Sequence, residues 1–209
     1  MRFFLLSIII FLISQLVYAS ASDDLTSLLN TIHTIKADFK QTIEEKGGSA
    51  VQHTAGHMAM QRPGKFHWQV TQPNAQLIVT NGQRLWIYDP DLEQVTIRAL
   101  SKEVGDAPAL LLSDTSQTLD KKFVVQELQN NTASMRWFLL TPKDKNSMFA
   151  AIKVGFMNNQ LHAMKLQDHL GHATEIEFTH IQSGMELPAA LFTFSPPKNI
   201  DVIDETKRR

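Results

Sequence analysis

The chain has no cysteine. Disulfides, thiol catalysis and cysteine-based zinc sites are thereby excluded. So is the acceptor cysteine that would carry a lipid anchor behind an export signal. Charge of one sign is lacking too: 20 Lys and Arg stand against 21 Asp and Glu, a net −1. That balance offers little to nucleic acid or to an anionic membrane surface. There is no internal repeat and no low-complexity tract. Only one long apolar run occurs, at the start.

That run extends from Phe3 to Val17, after Arg2 and before Tyr18-Ala19-Ser20-Ala21. A basic residue, an apolar stretch of about 15 residues and a small-residue end make a cleavable signal peptide. A spanning helix needs roughly 18 to 20 apolar residues. Residues 1–21 are therefore expected to be a signal, cut after Ala19 or Ala21, and residues 22–209 a single domain. Export without disulfides suits a bacterial periplasm.

Catalytic signatures are also missing. The chain has no G-x-S-x-G, no H-E-x-x-H, no phosphate-binding loop and no dinucleotide fingerprint. Ser195-Pro196-Pro197-Lys198 matches S-x-x-K, but two prolines spoil the helix that this spacing requires. His53/His57 and His169/His172 have spacings that bind zinc on helices, yet both pairs fall in strand or turn contexts. Asp89, Asp91 and Glu93 surround Pro90, where a turn calls for such residues anyway. No catalytic residue, metal ligand or cofactor is nominated.

What is present is a β-rich pattern behind one helix. Ser22 or Asp23 caps the helix and Asp24 suits its first turn. Leu25, Leu28, Leu29, Ile32, Ile35 and Phe39 follow near helical spacing. Strand-like runs then appear at Met58–Met60, Phe66–Val70, Leu77–Val79, Leu85–Tyr88 and Val95–Ile97. They continue at Phe123–Val125, Arg136–Leu140, Ala150–Phe156, Gln160–Leu166, Thr174–Phe178 and Phe192–Phe194. Turn residues separate them, Asn81-Gly82 giving the clearest hairpin signal. Gly105 to Leu119 breaks this rhythm, with Pro108 placed to start a short helix through Leu112. The expectation is one large antiparallel sheet, curled or barrel-like. Three Trp, twelve Phe and eight Met would line an apolar cavity or fill an ordinary core.

The ordered segments Arg62-Pro63-Gly64-Lys65-Phe66-His67-Trp68, Thr71-Gln72-Pro73, Asn81 to Pro90 and Glu93-Gln94-Val95-Thr96 resemble the LolA family of outer-membrane lipoprotein carriers. Phe39-x-Gln41, Pro108 to Leu112 and Phe192 to Pro197 extend the resemblance over nearly the whole mature chain. It implies an incomplete antiparallel β-barrel of about eleven strands, closed by a helical lid over an apolar cavity. It implies a non-enzymatic periplasmic chaperone, a monomer with no cofactor and no nucleic-acid partner. The expected cargo is the acyl chains of outer-membrane lipoproteins, taken from an ATP-driven inner-membrane release complex and passed to an outer-membrane lipoprotein receptor.

Carried over residue by residue, Arg62 is the expected latch of a lid at about Pro108 to Ser113. The expected acyl-chain contacts are Leu29, Ile32, Met58, Met60, Phe66, Trp68, Trp86, Leu110, Leu111 and Leu112. Phe66, beside a turn, is alternatively an exposed rim contact. Two rivals stay open at this point: a periplasmic hydrolase using His and Asp, and a stress-sensing module of similar fold.

Overall fold

The computed structural model describes residues 20–48, 51–100, 112–113, 119–129 and 135–206. Helix α1 spans Ala21–Asn30 and begins at Ser20, whose hydroxyl accepts the Asp23 N–H while the Asp23 carboxylate accepts from Ser20 N. This reciprocal capping box satisfies two donors that the first turn leaves open. A signal cut after Ala19 keeps this cap; a cut after Ala21 removes it.

The periodicity misled at one point. Ile35 and Phe39 do not continue the helix; they belong to strand β1, Thr34–Glu44. The helix ends at Asn30, and Ile35, Ala37 and Phe39 bury every second side chain. The C-terminal part differs as well. Phe192 closes a 3-10 turn over Ala189–Phe192 and is not a strand residue, while Asp201–Asp204 forms an unexpected strand, β12.

Between these lie β2 (Val51–Gln61), β3 (Lys65–Gln72), β4 (Gln76–Asn81), β5 (Arg84–Asp89) and β6 (Gln94–Ala99). A one-turn helix α2 (Leu119–Lys122) leads into β7 (Phe123–Leu128), followed by β8 (Met135–Pro142), β9 (Phe149–Met157), β10 (Gln160–Asp168) and β11 (Ala173–Ser183). The β4–β5 hairpin turns at Asn81-Gly82. Gly82 takes φ +94, and the Asn81 carboxamide oxygen accepts from Gln83 and Arg84 N–H.

The strands form one sheet in the order β12-β6-β5-β4-β3-β2-β1-β11-β10-β9-β8-β7. Among the described residues it holds twelve strands where about eleven were expected, and β12 and β7 are its two edges. Neighbours are antiparallel except β12, which runs parallel to β6. The barrel is therefore incomplete, as expected. The expected lid falls outside the described residues apart from Leu112 and Ser113. No helix among the described residues is long and apolar enough to cross a membrane.

Each face of the sheet has its own cover. On the inner face, alternate residues of β1 to β5 and β7 to β11 join the leucines of α1 in one apolar cluster. Helix α1 crosses this face from β1, which follows it in the chain, to β7, which it touches. On the outer face the segment after β11 runs back across the sheet as a strap. Leu187 and Phe192 pack on Ala59, the Leu191 carbonyl meets His67 Nδ1 at 2.9 Å, and β12 then docks beside β6.

Candidate functional site

The inner face is built by strand parity. Met58 and Met60 on β2 oppose Trp68 and Phe66 on β3. Phe39 reaches across from β1, its ring 3.5 Å from the Trp68 ring centroid to centroid and tilted by 15°. Phe66 extends the stack, 5.9 Å from Trp68. Across the sheet Phe138 and Phe156 meet edge to face at 6.0 Å. Both arrangements suit the ring quadrupoles. Met58, Met60 and Met164 fill the spaces between; unbranched thioether chains adapt to ligands of varied shape.

Helix α1 lays Leu25, Leu28 and Leu29 on this surface, and Ile32 follows in the turn after it; all four are buried. Of the residues singled out from the sequence, Leu29, Ile32, Met58, Met60, Phe66, Trp68 and Leu112 thus share one cluster. Phe66 is fully buried there and is not an exposed rim contact. Leu110 and Leu111 lie outside the described residues.

Trp86 is not on this wall. Its neighbours on β5, Leu85 and Ile87, point inward, while Trp86 points outward with Val79, Val95 and Ile97 beneath Phe194 and Ile200 of the strap. The strap buries the outer face of β5, so both sides of this strand are apolar and alternation gives no direction.

The wall also contains residues that the sequence reading did not assign to it, among them Phe39, Phe138, Phe156, Met164 and Phe178. The signal was available for most of them. Phe138/Leu140, Ile152/Val154/Phe156 and Ile176/Phe178 each place apolar residues two apart on a strand.

Arg62 sits at the end of β2, joined to Pro63 by a cis peptide bond. Its N–H donates to the His33 carbonyl at 2.9 Å, and its guanidinium Nε is buried. Two residues on, Gly64 N–H donates to the Ser113 carbonyl at 2.9 Å. Ser113 directly follows Leu112, the last expected acyl contact of the lid. The turn carrying Arg62 is therefore fastened to the end of the segment that the lid was expected to occupy.

The histidines make no comparable site. His57 Nδ1 and His180 Nδ1 lie 2.6 and 2.7 Å from the two oxygens of Asp38, all on the outer surface. His172 rests on Asp168 at 2.6 Å in the β10–β11 turn, and His169 meets the Ser147 carbonyl. Of the histidines paired with a carboxylate, none faces a hydroxyl among the described residues. His53 does meet a hydroxyl, at Thr42, on the exposed outer surface. Among the described residues no group of three His, Asp or Glu side chains is arranged to hold a metal ion, the His57–Asp38–His180 group included. Asp89 accepts the Leu92 N–H, as its place in a turn requires. What the described residues offer is an apolar wall under a helix.

A family model described as "Outer membrane lipoprotein carrier protein LolA" matches residues 30–195. An outer-membrane lipoprotein carrier protein of Legionella pneumophila (strain Lens) is 41% identical over 205 residues, 98% of this chain and 99% of the relative. One from Dechloromonas aromatica (strain RCB) is 38% identical over 194 residues, covering 93% of this chain and 92% of the relative. Among solved structures, an uncharacterized conserved protein from Thermus thermophilus superposes with a TM-score of 0.52 at 11% identity, over 87% of this chain and 99% of that one. That likeness concerns the fold alone.

Proposed function

The chain belongs to the outer-membrane lipoprotein carrier family, and from that premise we propose that it is a periplasmic chaperone which binds acyl chains of lipoproteins released from the inner membrane and delivers them to an outer-membrane lipoprotein receptor. It acts as a carrier and not as a catalyst. Residues 1–21 serve as its export signal, and the remainder works as a free monomer.

The observation that carries this reading is the inner face. Its aromatic, methionine and aliphatic side chains form one continuous surface, and α1 covers part of it with leucines. Acyl chains and leucine side chains compete for such a surface on equal chemical terms. Burying one CH₂ contributes about 0.8 kcal/mol, so a chain of roughly 14 carbons gains on the order of 10 kcal/mol. Unopposed, that affinity would slow release. A cover that must be displaced lowers the net affinity by its own opening cost, since only the open fraction binds.

In this reading the Arg62 turn supplies part of that cost. The last carbonyls of a helix in general lack intrahelical partners and carry partial negative charge, and a guanidinium presents five donors to such groups. The Gly64–Ser113 hydrogen bond brings this segment to the Arg62 turn and so supports the assignment. Handover then proceeds downhill from a carrier that must open to a receptor that binds more tightly.

Depletion of the protein in its own cell tests the proposal. Outer-membrane lipoproteins are expected to accumulate at the inner membrane. Their normal arrival at the outer membrane under full depletion would refute the reading.

A further inference from the structure

A second cation stands at the border of the inner face, away from the Arg62 turn. Arg136 lies on β8, two residues before Phe138, so the two share a face, and its guanidinium sits 5.2 Å above the Phe138 ring. It is held by two carboxylates of different kinds. Nε and Nη2 donate to Glu127 on β7 at 2.8 and 3.0 Å, a forked contact within the sheet. Nη2 also donates to Asp24 of α1 at 2.9 Å. Asp24 lies one helical turn before Leu28, on the side that the apolar stripe continues. Ser22, on the same first turn, donates to the Asp120 carboxylate of α2.

We propose that Arg136 is a positioning residue for cargo exchange: it fastens the first turn of α1 over the inner face in the empty carrier, and acyl chains gain that face when the Arg136–Asp24 contact parts. This rests on the carrier reading above. Three features fit a contact made to break. The contact spans helix and sheet, so it is lost when the leucine stripe lifts. Its side chains are 42% and 38% exposed, so water replaces the lost partner readily. Glu127 remains with Arg136 after α1 departs, so no cation is stranded above Phe138. The hydrogen bond from Arg136 holds the Glu127 carboxyl below its ordinary range, which keeps the anchoring half of the triad charged.

The experiment measures displacement of an anilinonaphthalene dye from the purified mature protein by a synthetic triacylated lipopeptide, with thermal melting recorded in parallel. Asp24→Asn and Arg136→Met are each expected to tighten lipopeptide binding by about two- to fivefold, because the open fraction rises. The double variant is expected to match the singles, because they remove one contact. Added salt is expected to tighten binding to the wild type and leave the variants unchanged. A residue that only stabilises the fold would lower the melting temperature without this gain in affinity.

Unchanged or weaker binding by a folded variant overturns the proposal. If Arg136→Met does not fold, Asp24→Asn decides alone, since it keeps the sheet's own Arg136–Glu127 pair. A wild-type protein that binds neither dye nor lipopeptide overturns the carrier reading, and the latch with it.

Discussion

The ring of Phe39 lies on the indole of Trp68, centroids 3.5 Å apart, although β2 runs between their strands. The contact passes over Gly56. That residue pairs with Phe39 on one side and Val70 on the other. A Cβ placed there would lie 3.0 Å from Phe39 Cζ and 1.8 Å from the Gln69 carbonyl oxygen. The absence of one side chain thus lets two strands that are not neighbours share an aromatic stack at the centre of the apolar wall.

Gly56→Ala is therefore expected to destabilise the protein by about 1–3 kcal/mol, since the methyl meets backbone that must shift. Urea unfolding measures this, and near-ultraviolet circular dichroism should show a loosened Trp68. An unchanged midpoint would mean that β3 yields freely at Gln69.

The placement of the tryptophans separates the two faces. Lipopeptide binding is expected to change tryptophan emission in the wild type and in Trp86→Phe, and to change it far less in Trp68→Phe. Loss of the signal in Trp86→Phe, with retention in Trp68→Phe, would place the cargo under the strap and not on the inner face.

On the proposed latch role, Arg62→Leu is expected to hold lipoprotein and hand it on poorly, because without that latch the open, loaded state costs less. Transfer from purified loaded variant to the receptor measures this. A normal transfer rate would sink the role assigned to Arg62.

Asp38 carries a small acid dependence. Hydrogen bonds first from His57 and then from His180 hold its carboxyl below the ordinary 3.8. A depressed carboxyl contributes stability that is full above the unfolded value and lost as pH falls through the folded one. With the side chain 42% exposed, the contribution is under about 1 kcal/mol. The stability gap between wild type and Asp38→Asn should accordingly be present above pH 3.8 and vanish well below it. A gap that widens in acid would contradict this.

Legibility in the sequence followed burial. The strands from β2 to β11 were readable where one face is wet, as in β9 and β10. Strand β1 was not, because Ile32, Ile35 and Phe39 satisfy a helical spacing while Ile35, Ala37 and Phe39 satisfy a strand spacing; the cap at Ser20 and the leucines before Asn30 do not decide between them. Trp86 was assigned to the wrong face because β5 is covered on both. Arg136 is not marked by its sequence neighbourhood, since its partners Glu127 and Asp24 are 9 and 112 residues away in the chain, and nothing local signals a contact of the second kind.

The sequence by itself determined that this protein is β-rich, that its turns fall at Arg62-Pro63-Gly64 and Asn81-Gly82, and that it resembles lipoprotein carriers over nearly the whole mature chain. These follow from side-chain alternation, backbone preference and motif order, which are properties of short segments. Only the tertiary structure decided that α1 crosses the inner face to reach β7, that the strap buries Trp86 from outside, and that Phe39 and Trp68 meet over Gly56. Each depends on how far the sheet curls and which strands become neighbours, and that is set by all of its strands packing together.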